Sequence, residues 1–103
     1  MPERPADRPR ISAAARRDLQ DIWLHGAERW SIRQADAYAN TLFDLLELID
    51  RQPRMGALRA DLRPPVRVHP HRAHVVVYRE TADGPEILRI LDARRDWRAL
   101  LGD

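Results

Sequence analysis

The sequence predicts an α+β fold, and three observations lead there. Two long amphipathic stretches open the chain with only a few residues between them. Strand-like runs separated by turn signals follow. The whole comprises 103 residues, enough for one small domain, 1–103, with a single layered core. The expected architecture is an antiparallel helical hairpin packed on one face of a small twisted antiparallel sheet, closed by a short helical C-terminal tail.

Residues 1–8 carry Pro2, Pro5 and several charges and are expected to form a flexible arm. Arg10-Ile11 begins a short strand, which Pro9 would confine to a sheet edge. Ser12 is an N-cap for a first helix over 13–29. Ala15, Leu19, Ile22, Trp23, Ala27 and Trp30 recur at spacings of three and four and make its apolar face. Ser31-Ile32-Arg33-Gln34 fits a capping box and starts a second helix, whose stripe is Ala35, Tyr38, Leu42, Leu45, Leu46 and Ile49. Gln52-Pro53 stops it. So short a connection folds the helices back antiparallel. Phe43 and Leu48 lie off the main stripe. A helix apolar on two sides touches something on both, either the rest of the domain or a partner's helix.

Residues 53–65 read as a loop. Val66–His69 alternates like a strand with one wet face, and Pro70-His71-Arg72 reads as a turn. Ala73–Glu80 is β-branched and aromatic, the signature of a central strand. Ala82-Asp83-Gly84-Pro85 turns the chain into Glu86–Asp92, completing an antiparallel meander. From Asp96 to Leu101 one or two helical turns fold Trp97 back onto the body.

Composition narrows the function classes. A third of the residues are charged and the apolar runs are short, so no membrane span is expected. The N-terminus has no apolar core of the secretory kind. Cysteine is absent, which excludes disulfides and thiolate metal sites and suits the cytoplasm. The net charge is +2, and all 18 basic residues are arginine. Arginines and carboxylates alternate along both helices, so no sequence-specific DNA binding by this chain alone is expected.

Catalytic signatures are sparse. There is no Gly-rich phosphate loop and no evident carboxylate pair. Ser12 and Ser31 read as helix caps. His69, His71 and His74 have poor metal spacing, and no metal or cofactor is expected. A histidine beside arginines can act as an acid or base in RNA cleavage, and His71 or His74 with Arg67 and Arg72 is the set that would do so. Arg67, Arg72, Arg79, Arg89, Arg94 and Arg95 all fall in the strand half. They either pair with Glu80, Glu86, Asp92 and Asp96 or form a basic surface for phosphate or an acidic protein. Neighbours in an extended stretch face opposite ways, so one of Arg94 and Arg95 is expected to be held by a carboxylate and the other left open to a target.

Several short motifs stand in a telling order: Ser12–Leu19, Pro53-Arg54-Met55-Gly56, Asp61-Leu62-Arg63-Pro64, Val77-Tyr78-Arg79 and Arg94-Arg95-Asp96-Trp97. From about Arg10 to Leu101 the chain resembles the ParE branch of the ParE/RelE toxin superfamily, and the Asp-Trp tail is characteristic of that branch. The resemblance implies a toxin masked by a cognate antitoxin in a hetero-oligomer, acting on DNA gyrase and with no catalytic residue of its own. The RelE branch instead cuts ribosome-bound messenger RNA with basic residues and a C-terminal acid or base. Here lysine is absent, and the C-terminal aromatic is Trp97, whose indole cannot exchange a proton at neutral pH. A ribonuclease, and an inactive toxin fold that only binds antitoxin, remain the alternatives. The implied contacts are Arg67, Arg79, Arg94 and Arg95 toward the target, and Trp23, Tyr38 and Leu42 toward the antitoxin.

Overall fold

A computed structural model describes residues 9–100 of the chain. The arm expected at 1–8, and Leu101 of the tail, lie outside these residues. The order is β1 (Arg10–Ile11), α1 (Ala13–Arg29), α2 (Ile32–Arg51), β2 (Ala57–Arg59), β3 (Val66–His71), β4 (His74–Thr81), β5 (Gly84–Asp92) and α3 (Trp97–Leu100). The five strands form one sheet in the order β1-β5-β4-β3-β2. All pairings are antiparallel except β1 with β5.

Both helix starts form as their caps predict. Ser12 Oγ accepts from the Ala15 N–H at 3.0 Å, and Ser31 Oγ accepts from the Gln34 N–H at 3.0 Å. Ser12 also ties the helix to the sheet: its N–H donates to the Ile87 carbonyl at 2.9 Å and its hydroxyl to the Leu88 carbonyl at 2.8 Å. The helices approach closely where Gly26 faces Ala35. A Cβ on Gly26 would stand 3.4 Å from the Ala35 methyl, so a larger residue would push the hairpin apart.

β4 is the central strand, and Val75, Val76, Val77 and Tyr78 are all buried. Alternation divides them. Val76 and Tyr78 join Leu42, Leu46, Ile49, Ile87 and Ile90 in the core beneath the helices. Val75 and Val77 join Leu62, Val66 and Leu91 in a smaller cluster, with Leu88 and Trp97 packed against it. The expected helical layer thus covers one face, and the β2–β3 loop with α3 covers the other.

Three details differ from the sequence reading. First, residues 57–59 are an edge strand paired with Val66–Val68. Its three residues, Ala57-Leu58-Arg59, are too few to show a period. Second, β3 runs through Pro70 to His71, and the turn is only Arg72-Ala73. Pro70 is tolerated because the partner pairing of β2 ends at Val68, so the donor it lacks would point off the sheet edge. Third, β1 is an edge strand, as Pro9 implied, but runs parallel to β5.

β5 carries an extra residue, Leu88, where the register steps from Val77↔Arg89 to Tyr78↔Ile87. Beyond the end of β1, Asp18 of α1 replaces a strand partner. Its carboxylate accepts from the Ile90 N–H at 2.8 Å and from Arg89 Nε and Nη2 at 2.8 and 2.9 Å. Tyr78 fixes the loop after α2 in a similar way: its hydroxyl accepts from the Gly56 N–H and donates to the Pro53 carbonyl, each at 2.8 Å. A Cβ on Gly56 would stand 2.7 Å from that hydroxyl.

Replacing Tyr78 with Phe keeps the ring and leaves a buried N–H and a carbonyl without their partner. We expect about 1–3 kcal/mol of lost stability, read as a lower urea midpoint at unchanged slope. Gly56→Ala should cost a comparable amount by displacing the hydroxyl, and the two losses should not add. A Tyr78→Phe midpoint equal to wild type would show that the loop is held otherwise.

Candidate functional site

The apolar surface of the helical hairpin is not fully used within the chain. Only Ala15 and Gly26 of α1 are buried, and Trp30 and Ile32 at the helix corner are 67% and 62% exposed. Beside this corner lies a groove of about 420 Å3. α1 contributes Ile22 and Gly26, its C-cap Trp30 follows, and α2 contributes Ala35, Tyr38 and Thr41. The far wall is the end of the sheet, with Arg72 and His74 at the β3–β4 turn and Asp92 and Arg94 where β5 ends.

A hydrogen-bonded chain lies under the groove. The Tyr38 hydroxyl is 2.6 Å from His74 Nδ1 and 3.4 Å from the His71 carbonyl. Thr41 donates its hydroxyl proton to the Tyr38 carbonyl at 2.7 Å, so its oxygen accepts from His71 Nε2 at 2.9 Å. That assigns the proton on His71 to Nε2. Burial pushes both imidazoles below their ordinary value. Arg72 and His69 push His71 further the same way, and at His74 the nearby Asp92 opposes the shift. Burial also raises the Tyr38 phenol. The layer beneath the groove is therefore neutral at neutral pH.

Of the residues expected to face an antitoxin, Tyr38 lines the groove. Trp23 is half-buried on the hairpin, its indole N–H donating to Asp36 Oδ1 at 2.7 Å. Leu42 has no exposed surface; any part it plays in binding runs through the helix it seats. Trp30 and Arg72 line the groove and were not among the expected contacts. Trp30 adjoins the capping serine of a tight helix corner, where an aromatic has little to pack on. Arg72 occupies a two-residue hairpin turn that usually takes Gly or Asn.

The four arginines expected to face a target do not converge. Arg67 binds Glu80 at 2.7 Å and the Gly56 carbonyl at 2.9 Å. Arg79 binds Glu86 at 3.0 Å. Arg94 binds Asp92 at 3.2 Å and holds that carboxyl below its usual range. Arg95 is exposed, and among the described residues its side chain has no partner. One of the adjacent pair is thus held and the other open, but they lie in a turn after β5, with the Arg95 N–H donating to the Asp92 carbonyl at 3.2 Å, and not in the extended stretch the alternation argument assumed. Trp97 is half-buried against the second cluster, with the guanidiniums of Arg98 and Arg59 5.1 and 5.8 Å from its ring. Of the ribonuclease set, Arg72 stands with His71 and His74 at the β3–β4 turn, but Arg67 does not join them. Arg67 stands opposite Tyr78 and His71 opposite His74, four residues and roughly 13 Å apart along the strand. No described cluster of His, Asp and Glu is placed to hold a metal.

A family model described as the ParE toxin of the type II toxin-antitoxin system parDE matches residues 10–97. The chain is similar to toxin ParE1 of Caulobacter vibrioides, 39% identical over 93 residues that span 90% of this chain and 96% of that protein. It is also similar to toxin ParE1 of Mycobacterium tuberculosis, 31% identical over 87 residues, 84% of this chain and 89% of that one. Among solved structures, the chromosomal ParDE TA system from P. aeruginosa superposes with a TM-score of 0.70 at 20% identity, covering 80% of this chain and 90% of that chain. That last likeness is one of fold.

The neutral histidines set a pH dependence. Each has a folded value below 6.5, so as pH falls the unfolded chain takes up protons first. The stability gained by keeping them neutral is complete above that value and is lost as pH drops toward the lower folded values. Asp92, whose folded value is depressed, adds a further loss at lower pH. Thermal melts should therefore fall between about pH 7 and pH 5, and a His71→Gln/His74→Gln variant should flatten that segment. An unchanged slope in the variant would place the titrating groups elsewhere.

Proposed function

The chain belongs to the ParE toxin family of type II toxin-antitoxin systems, and from that premise we propose that it is a cytoplasmic toxin that binds and inhibits DNA gyrase and is neutralised by a cognate antitoxin. The observation that carries this reading is the family match over residues 10–97. Three features of the chain support it. The groove between hairpin and sheet has the apolar walls and exposed tryptophan suited to a partner's helix. Among the described residues no helix is long and apolar enough to cross a membrane. Of the residues that would cleave RNA, Arg67 stands away from His71, His74 and Arg72 and is held by Glu80, so inhibition by binding is favoured over catalysis.

The two proposed contacts lie at one end of the sheet. The Ala93 N–H donates to the Ala73 carbonyl at 2.8 Å, which joins the groove's turn to the segment carrying Arg94 and Arg95. An antitoxin segment in the groove would end beside Arg95, so masking and target contact would compete for neighbouring surface.

Purified chain should block gyrase supercoiling or trap cleaved DNA and leave translated messenger RNA intact. Arg95→Ala should weaken the effect on gyrase while its melting temperature stays near wild type, since a surface side chain without partners contributes roughly 0.5 kcal/mol or less to stability. Trp97→Ala should lower melting and inhibition together, by roughly 2–4 kcal/mol of stability for a large, half-buried ring. Message cleavage abolished by His71→Ala would replace this reading with a ribonuclease.

The antitoxin should protect residues 19–46 and the 71–74 turn from hydrogen exchange. Its binding segment should be unstructured alone and fold on docking, and the complex should melt well above the free chain. Protection confined to the opposite face of the sheet, around Leu62 and Trp97, would move the antitoxin site there.

A further inference from the structure

The groove carries a charge that its own chain does not balance. Its lining includes two arginines and one aspartate, Arg72, Arg94 and Asp92. Arg94 and Asp92 bind each other. Among the described residues Arg72 has neither ion pair nor hydrogen bond for its guanidinium. Of the six arginines between residues 66 and 95, Arg67, Arg79, Arg89 and Arg94 are held by Glu80, Glu86, Asp18 and Asp92, and Arg72 and Arg95 are not.

The backbone at Arg72 is also unusual. Its φ is 55°, the one positive value at a non-glycine among the described residues. That left-handed conformation of a two-residue turn is adopted most readily by Gly or Asn. A long cation is instead placed there, at the mouth of an apolar groove.

Resting on the reading of this groove as the antitoxin's seat, we propose that Arg72 anchors a carboxylate of the partner, so that the occupant is an acidic amphipathic segment setting an apolar side chain against Trp30 and Tyr38 and an Asp or Glu against the Arg72 guanidinium. An apolar segment without an acid would cover Arg72 and leave a desolvated cation unpaired, which is costly. A basic segment would be repelled. A second copy of this chain fits poorly for that reason: its exposed apolar corner, Trp30 and Ile32, is flanked by Arg29 and Arg33. The guanidinium fork can hold a carboxylate through two parallel hydrogen bonds, so Arg72 sets register as well as affinity. His71 and His74 supply no competing charge at neutral pH.

The test uses the full-length antitoxin encoded beside this chain, titrated against wild type and Arg72 variants at low and high salt. Affinity should fall in the order wild type, Arg72→Lys, Arg72→Ala, Arg72→Glu, with Arg72→Ala weaker by about tenfold or more. The salt dependence of wild-type binding should shrink in Arg72→Ala. Arg72→Gly separates contact from folding: it suits a φ of 55° and should melt at or above wild type, yet bind as poorly as Arg72→Ala. Replacing the antitoxin's Asp and Glu residues singly by Lys should reveal one position that restores binding to Arg72→Glu. Wild-type affinity in Arg72→Glu, with the groove still protected from exchange, would overturn the anchor and leave the antitoxin's seat in place. Protection elsewhere would overturn both. A self-association of the chain abolished by Trp30→Glu would give the groove to a second copy instead.

Discussion

The constraint on which the structure depends is the double burial of β4. Four successive residues, Val75 to Tyr78, are closed to solvent, so both faces of the sheet need cover at the same rung. A chain of 103 residues has little material for two layers. The helical hairpin covers one face, with Leu42, Leu46 and Ile49 packing on Val76 and Tyr78. Among the described residues, the other face receives Leu62 from a loop and Trp97 from a single helical turn. The asymmetry explains why small features are tied down so firmly. Tyr78 bonds to two backbone groups of the β2 approach, and Asp18 closes the bare edge of β5. Each substitutes a side-chain bond for secondary structure that the chain is too short to provide.

The groove follows from the same shortage. α1 packs chiefly against α2 and β5. Toward the helix corner the sheet ends in the Arg72-Ala73 turn, and among the described residues no further strand lies beneath Trp30. The gap is lined by residues that would be core in a larger domain, with Gly26 and Ala35 keeping the helices close enough to form its wall. An apolar gap of this kind is stable in water only while small, and a partner that fills it replaces the missing layer. Partner binding and fold stability are therefore coupled through the same surface.

Much of this was legible in the sequence, and the reasons differ by element. Ser12 and Ser31 fixed both helix starts because capping is a local interaction between a side chain and N–H groups three residues on. β4 was readable as central because an unbroken run of β-branched and aromatic residues leaves no wet face. β2 was not, since its three residues pair through backbone groups alone and Leu58 stays exposed. The end of β3 was missed for a related reason: Pro70 is a turn signal by composition, and only the short reach of β2 makes it acceptable in a strand. The candidate site was legible in part. Tyr38 was visible as a stripe residue, whereas the approach of Arg72 and His74 to it spans more than thirty positions and leaves no local pattern.

The arginines show how far composition can mislead and where it informs. Eighteen arginines invite a basic surface, but pairing removes most of that field in the strand half. Arg67, Arg79, Arg89 and Arg94 each face a carboxylate; an exposed pair such as Arg94–Asp92 contributes little to stability, whereas Arg89–Asp18 is bidentate and part-buried. Their effect is to neutralise the sheet's long sides. Between residues 66 and 95 the arginines left without a carboxylate are Arg72 and Arg95, on segments joined by the hydrogen bond between Ala93 and Ala73. Two cations without carboxylate partners beside the groove favour the approach of an acidic segment to it. A surface that is charged everywhere would attract many partners without orienting any of them. Here pairing leaves the apolar groove and the unbalanced cation adjacent, and a ligand must satisfy both at once.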